Sequence, residues 1–534
     1  MFKAPIQLLN SCHSLDSHIN DDLQLDILYD DMLGKCEKKS EVRKMWETNF
    51  TTDTKFLKDS QKLAENFNMT SSYEDIKNII NEIKGNPSFR EKYEYITVEM
   101  FESLNSNPHM LQLISMFSLT SPLFSLLTPF IMLIIPFFIL KVRGSSIKIS
   151  TYLSELKKVL SMLPIGKLFD FKNIPMDQRG FVLFSVILYF VQIYQNSLTC
   201  YRFYRNSKKM VDELHKIGNY FNKTALDMKH FKEICNDKKL TSYDPFVDIL
   251  DEKIIYLDEI GQKFLLIQEN VFKDMGIKMK YYYDLYKDTK LEELLNYTFE
   301  FQEYTNNISS FSSMKELKKC SFSKKNTALY DSYHGSLRNN TITPIKNSVN
   351  ISEKSIILSG PNASGKTTLL KSVAINLILS QQLGRGFYDK AKINPFHSFH
   401  CYINIPDTCD RDSLFQAEAR RCKNILNTIT KDCNHRHLCL FDELFSGTNP
   451  SEAVASAIGY LEYLNKNPHV RFILTTHFLQ LCDHFNNTKC VENFTFKTKF
   501  NLSLGITKIK GGIKVLEDLN FPVEILKTAK KNVS

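Results

Sequence analysis

Gly360-Pro361-Asn362-Ala363-Ser364-Gly365-Lys366-Thr367-Thr368 has the residue types and the G-x-x-x-x-G-K-T spacing to hold a polyphosphate. Glycines let successive backbone N–H groups converge on phosphate oxygens, and a helix N-terminus adds its positive dipole end. In such a loop Lys366 reaches the β- and γ-phosphates, and the Thr367 hydroxyl ligates Mg²⁺. The flanks suit the motif: an apolar run, Ile356-Ile-Leu358, precedes it, and a helical pattern from Leu369 to Leu377 follows.

Two further segments complete a hydrolytic set. His437-Leu-Cys-Leu-Phe-Asp442-Glu443 reads as a buried strand ending in two acids. Asp442 is expected to hold Mg²⁺ through water. Glu443 is then left to orient and activate the attacking water. Ser446-Gly447-Thr448-Asn449-Pro450 follows as a turn and helix start. Another strand, Arg471 to Thr476, ends at His477, where an imidazole can sense the γ-phosphate by hydrogen bonding.

In this order these segments resemble the ATPase domain of the MutS family of DNA mismatch-repair proteins. The carrying residues are Gly360 to Thr368, Asp442-Glu443-Leu-Phe-Ser-Gly-Thr-Asn-Pro450, Thr475-Thr-His477 and Asp407-Thr-Cys-Asp-Arg-Asp-Ser413-Leu-Phe415-Gln-Ala-Glu418. The resemblance covers 355–534 and extends to Ile509 through Pro522, similar to the family's closing helical segment. It implies a C-terminal α/β P-loop NTPase domain of ABC type, preceded by a mostly α-helical core or lever region. It implies ATP and Mg²⁺ as cofactors, and a dimer with itself or a MutS-like partner. Each ATP site then borrows from the neighbour, with Ser413 acting in trans. Gln382 takes a water- or metal-linking role near the nucleotide. Here the sequence departs from the family, because Arg385-Gly-Phe-Tyr-Asp389 replaces a valine-proline-alanine turn. ABC transporters and SMC proteins carry an L-S-G-G-like signature ahead of the acidic strand; none is present in this chain.

The elements that must position these residues occupy the rest of 534 residues, enough for three or four domains. Four parts are expected: a polar helical 1–102, similar from Asp21 to Gly34 to the start of the MutS core; an apolar 103–140; a helical 141–310, with a weaker uncharged stretch at 180–201; and 311–534, whose Ser/Asn/Lys-rich 311–350 leads into the ATPase domain. Residues 1–102 hold 13 Lys/Arg and 19 Asp/Glu, 103–140 hold neither, and the remainder carries +15 of the total +9. A basic body suits a polyanion such as duplex, mismatched or branched DNA, although lysine-rich composition gives the same number.

Twelve cysteines without a C-x-x-C pair, and no signal peptide, fit a reducing intracellular compartment, cytoplasmic or nuclear. Cys433-x-His435-x-His437-x-Cys439 lacks zinc spacing, and alternate strand residues share a face by geometry alone. Phe301-Gln-Glu303 matches the family's mismatch-reading triplet, but in a helical stretch beside the ATPase domain, and reads as a chance match. Lys278-Met-Lys-Tyr-Tyr-Tyr-Asp-Leu-Tyr-Lys287 suits either base stacking or an amphipathic helix.

The apolar segment from Leu111 to Leu140 is long enough to cross a bilayer. Lys141 and Arg143 follow it, and Pro122, Pro129 and Pro136 fall seven apart. Residues 141–179 carry 8 Lys/Arg against 3 Asp/Glu, and the positive-inside tendency opposes exporting such a loop. Membrane contact and burial in an interface both stay open. Two functions compete: an ATPase coupled to DNA binding in mismatch repair or related structure recognition, and a membrane-attached nucleotide switch with no DNA role.

Overall fold

The computed structural model describes residues 2–35, 40–67, 72–144, 148–161, 164–169, 171–270, 273–339, 343–361, 364–403, 405, 414–498, 500–507 and 519–532. They form two compact units. The first joins 1–71, 228–252 and 297–534; the second joins 72–227 and 253–296.

The first unit is built on a six-stranded sheet. Its strands are β1 (Ser355–Ser359), β2 (Ser398–Tyr402), β3 (His437–Asp442), β4 (Val470–Thr476), β5 (Val491–Thr498) and β6 (Asn501–Leu504), in the order β6-β5-β1-β4-β3-β2. Every pairing is parallel except β5 with β6. Parallel strands covered on both faces read as unbroken apolar runs. Accordingly all five residues of β1 are buried, as are the first five of β3. The helices are α1 (Lys366–Leu383), α2 (Leu414–Lys431) and α3 (Pro450–Asn465). On one face, Tyr402, Cys439, Phe441, Phe472 and Leu474 pack in one core with Cys422, Ile425 and Ile429 of α2 and Ala453, Ala457 and Leu461 of α3. Asn449 caps α3, its Oδ1 accepting from Ser451 N at 3.1 Å, with Pro450 at the first helical position.

Packing divides the chain differently from composition. Residues 2–67 fold into the same unit as the C-terminal third. A hairpin pairs Cys12–Ser14 with Asn49–Thr51, and Gln61 Nε2 donates to the Cys320 and Gly384 carbonyls at 2.9 and 2.5 Å. The polar stretch at 311–350 is not a connector. It supplies three strands of a five-stranded sheet, ordered Asn347–Asn350, Ala328–Ser332, Lys390–Ile393, Leu317–Phe322 and Arg385–Phe387. Single apolar residues such as Leu317, Cys320 and Val349 are buried between exposed polar ones. The departure at Arg385 is one of these strands, antiparallel to Leu317–Lys319.

The second unit is helical. It contains Glu74–Gly85, Pro108–Val142, Ile149–Leu160, Met275–Lys287 and most of the 62-residue helix Met176–Asp237. Its core includes a ring cluster in which Phe89 stacks on Tyr95, Tyr282 and Tyr286. The basic-aromatic segment at 278–287 is part of this packing. Tyr282 OH donates to Glu213 at 2.6 Å, and Lys278 Nζ to the Asn270 and Lys273 carbonyls at 2.6 and 2.8 Å. Phe301, in the first unit, is fully buried against Phe231. Of the Cys/His strand residues, Cys439 is core, and His437 bonds His400 and the Asp432 carbonyl at 3.1 and 3.0 Å.

Candidate active site

Strand register gathers the chemistry-bearing residues at one sheet edge. Asp442 of β3 lies opposite Thr475 of β4, and Thr476 opposite Ser359 of β1. The three strands therefore end level. Gly360, Glu443 and His477 each follow an end, at the carboxyl edge where open α/β sheets bind ligands.

Asp442 accepts from the Thr367 hydroxyl at 2.8 Å through Oδ2, and from the Thr475 hydroxyl through Oδ1. An oxygen-only pair of this kind suits a hard divalent cation. Glu443 leaves the strand with φ +51, a left-handed conformation held by its N–H bonding the Thr475 carbonyl at 3.0 Å. The turn separates the two neighbouring carboxylates into different roles. Glu443 Oε1 lies 3.5 Å from His477 Nδ1 and 3.8 Å from Lys366 Nζ. His477 and the Lys366 charge hold its carboxyl below the usual carboxylate range.

Lys366, 5% exposed, donates to the Gly360 and Pro361 carbonyls at 2.9 and 3.0 Å. Burial pushes its ammonium down, against the pull of Glu443 and Asp442. At 3.8 Å the ion pair is loose, so desolvation prevails for lysine while the acid stays charged. Gly365, at φ +92, opens α1, and a Cβ there would meet the Phe500 ring at 2.8 Å. Ser364 and Thr368 flank these residues; Asn362, Ala363 and Ser413 lie outside the described residues, as does most of 509–522.

Gln382 is a correction. It ends the α1 helix, about 24 Å along the axis from Lys366. It is buried, takes a hydrogen bond from Tyr29 OH, and donates to the Trp46 and Asn49 carbonyls at 2.6 and 2.8 Å. Its polar capacity is spent on the N-terminal segment, not on a nucleotide.

Sequence reasoning missed an apolar cavity of about 330 Å³ beside the start of α1. Tyr333, His334, Phe496, Phe500, Gly365 and Thr368 contribute to its lining. Burial, helped by the Lys371 charge, pushes His334 down to about 4, so the ring is neutral at pH 7. Glu418 was also unassigned. Buried on α2, it accepts from Ser446 Oγ at 3.1 Å and Gly447 N at 3.2 Å, pinning the turn after the acidic strand.

The family model of MutS domain V matches residues 356–534, the segment that contains every part of this edge. This C-terminal third of the chain is similar to MutS domain V. Among curated MutS relatives it is similar to the protein named Endonuclease MutS2 of Acetivibrio thermocellus, 30% identical over 206 residues, 37% of this chain and 26% of the relative. The namesake of Clostridium tetani is 30% identical over 188 residues, 34% and 23% of the two chains. That of Staphylococcus carnosus is 28% identical over 193 residues, 36% and 24%. The chain spans about a quarter of the length of the curated MutS relatives it matches.

Proposed function

We propose that the C-terminal domain is a P-loop ATPase that binds MgATP and hydrolyses it, and that the chain couples this cycle to DNA binding. The observation that carries the reading is the convergence of Lys366, Thr367, Asp442, Glu443 and His477 on one sheet edge.

Thr367 directly and Asp442 through water would hold Mg²⁺, which would supply electrostatic stabilisation of the phosphate charge. Lys366 exchanges its bonds to the loop carbonyls for phosphate oxygens. The N–H groups of 364–368, at the start of α1, face the same anion. Glu443, held ionised, accepts a hydrogen bond from the attacking water and orients it. His477, adjacent to Glu443 and half exposed, donates to the γ-phosphate. The base stacks in the Tyr333/His334/Phe500 cavity, where a neutral imidazole avoids repelling cations around the phosphates.

Ser413 acts on the partner's nucleotide in a dimer, by analogy with MutS proteins. The same analogy, with the names of the matched relatives, supports DNA as partner and an intracellular location. The test is steady-state ATPase activity with and without mismatched, branched and single-stranded DNA, alongside duplex affinity against salt. The proposal expects DNA to change the turnover rate and affinity to fall steeply as salt rises, through counterion release. Turnover indifferent to every DNA, with no salt-dependent binding, would falsify the DNA half.

A further inference from the structure

We infer that the second unit carries a membrane anchor: a helical hairpin whose apolar belt has the thickness of one bilayer, collared by cations for anionic headgroups. This stands independently of the ATPase reading.

Helices Pro108–Val142 and Met176–Asp237 pack antiparallel. Cys200 Sγ donates to the Leu119 carbonyl at 3.4 Å, Asn196 Nδ2 to Ser125 Oγ at 2.7 Å, and Tyr189 OH to the Ser125 carbonyl at 2.8 Å. This register sets the ends of the belt. Leu140 lies 21 positions beyond Leu119, and Lys141 comes next. From Cys200 back to Arg179 is again 21 positions, and no charged residue lies between. At the helical rise both stretches span about 32 Å, close to the roughly 30 Å hydrocarbon core. At the loop end Lys141 and Arg179 close both runs at about the same level; at the other end the second helix reaches Arg202 two residues past Cys200, while the first stays uncharged back to Pro108.

Exposure points the same way. Phe117, Phe124, Phe130, Ile134 and Phe138 on the first helix, and Phe181, Phe184, Leu188 and Phe190 on the second, are all exposed. Neighbours such as Leu126-Leu127, Ile131 and Leu133 are exposed as well, so the apolar surface runs around the helices. A second protein helix would ask for one stripe at positions a and d. Lipid asks for apolar groups on every outward face. The hydroxyl side chains are accommodated as lipid requires, whereas Gln192 and Gln195 are polar and exposed on the second helix. Thr120, Ser125, Thr128, Ser185 and Ser197 each return a hydroxyl to the carbonyl four residues earlier.

Charge marks both ends of the belt, and the basic 141–179 loop beyond one of them runs against the positive-inside tendency. Lys141, Arg143 and Arg179 stand at one end of the belt. At the other, Arg202, Arg205 and Lys209 line a cleft of about 630 Å³ with Lys92, Glu91 and Glu94. Lys209 is bound to Glu82 at 2.5 Å, whereas Arg202 and Arg205 have no acidic partner among the described residues. Two unpaired guanidiniums at the edge of an apolar belt fit phosphodiester headgroups.

The experiment uses the full chain and vesicles of phosphatidylcholine with or without phosphatidylglycerol, separated by flotation and then washed in alkaline carbonate. We expect the protein to float and to resist the wash. Phe130→Glu combined with Phe184→Glu should lower wash-resistant protein at least tenfold with ATPase activity unchanged, because both side chains are exposed and outside the site. Arg202→Ala with Arg205→Ala should weaken partition into the phosphatidylglycerol vesicles about fivefold per arginine, and leave neutral vesicles unaffected. Wild-type protein that stays in the aqueous phase as a discrete oligomer would overturn the inference and assign the belt to a second copy. Flotation that the carbonate wash abolishes would overturn it too, by showing surface adsorption alone.

Discussion

The carboxyl edge of the six-stranded sheet and the apolar hairpin carry their chemistry in opposite ways. At the sheet edge a few ionisable groups are placed by strand register, half-buried and bonded to one another: Thr367 to Asp442, Glu443 to His477. In the hairpin the belt has no Asp, Glu, Lys or Arg, and most of its apolar side chains face outward. The first region depends on fixed positions, so one atom's loss is felt. The second depends on summed area, so single changes are absorbed and only a charge in the belt is costly. Mutational sensitivity should separate the two regions by orders of magnitude.

The largest effect expected short of abolishing binding is on turnover. Glu443→Gln removes the carboxylate that orients water, and kcat should drop about 10²- to 10⁴-fold. ATP affinity should be nearly unchanged, since Lys366, Thr367 and Asp442 are intact. Single-turnover kinetics with labelled ATP separates the two steps, and unchanged hydrolysis would remove Glu443 from its role.

Gly365→Ala comes next. The φ of +92 disfavours any side chain, and the new Cβ would press on Phe500 at 2.8 Å. A cost of about 1–3 kcal/mol is expected, read as a lower Tm together with weaker nucleotide binding. A variant as stable and as tightly binding as wild type would mean that this loop is not held as described.

Gln382→Ala sharpens the correction made above. It strands Tyr29 OH and the Trp46 and Asn49 carbonyls in the interior, which should cost about 1–3 kcal/mol of stability. The Kd for ATP should stay within a factor of two or so, because the residue is a helix length from the phosphates. Loss of nucleotide affinity at unchanged stability would restore Gln382 to the site.

The smallest effect is on acid stability. Burial pushes His334 and His397 down to about 4 and His400 to about 3, against an ordinary value of 6.5. The folded chain keeps these rings neutral where the unfolded chain protonates them. Unfolding then takes up protons, and stability falls as pH drops from 6.5 towards 4. Asp22, pushed up to about 6 by burial despite Arg421, works the other way in that window, as do Glu94, Asp284 and Glu300, which burial also raises, while His13 and His437 side with the three histidines. Urea midpoints across this range give the sign; a midpoint that rises on acidification would contradict the assignment.

Much of the sheet edge was legible in the sequence, because its residues sit at fixed offsets in a strand-loop-helix context. Lys366, Thr367, Asp442, Glu443 and His477 carry motif spacing. The cavity was not legible. Tyr333 and His334 precede the glycine loop by almost thirty residues and Phe500 follows it by more than a hundred, and only folding brings them together. Gln382 misled because a helix period fixes which face a residue takes, not whether a distant segment claims it. The second sheet was hidden because its strands bury isolated residues among serine, asparagine and lysine. In the hairpin the two uncharged runs were visible, but their shared length depends on the Leu119–Cys200 register, which only the structure supplies.

The central claim is that the loop around Lys366 grips magnesium-bound ATP. Direct titration of the purified full chain with a fluorescent ATP analogue, with Mg²⁺ and with EDTA, tests it, and Lys366→Ala serves as the reference. The account predicts saturable binding that weakens at least tenfold in the variant and also weakens without Mg²⁺. Binding absent in the wild type, or equal in both proteins, would contradict it.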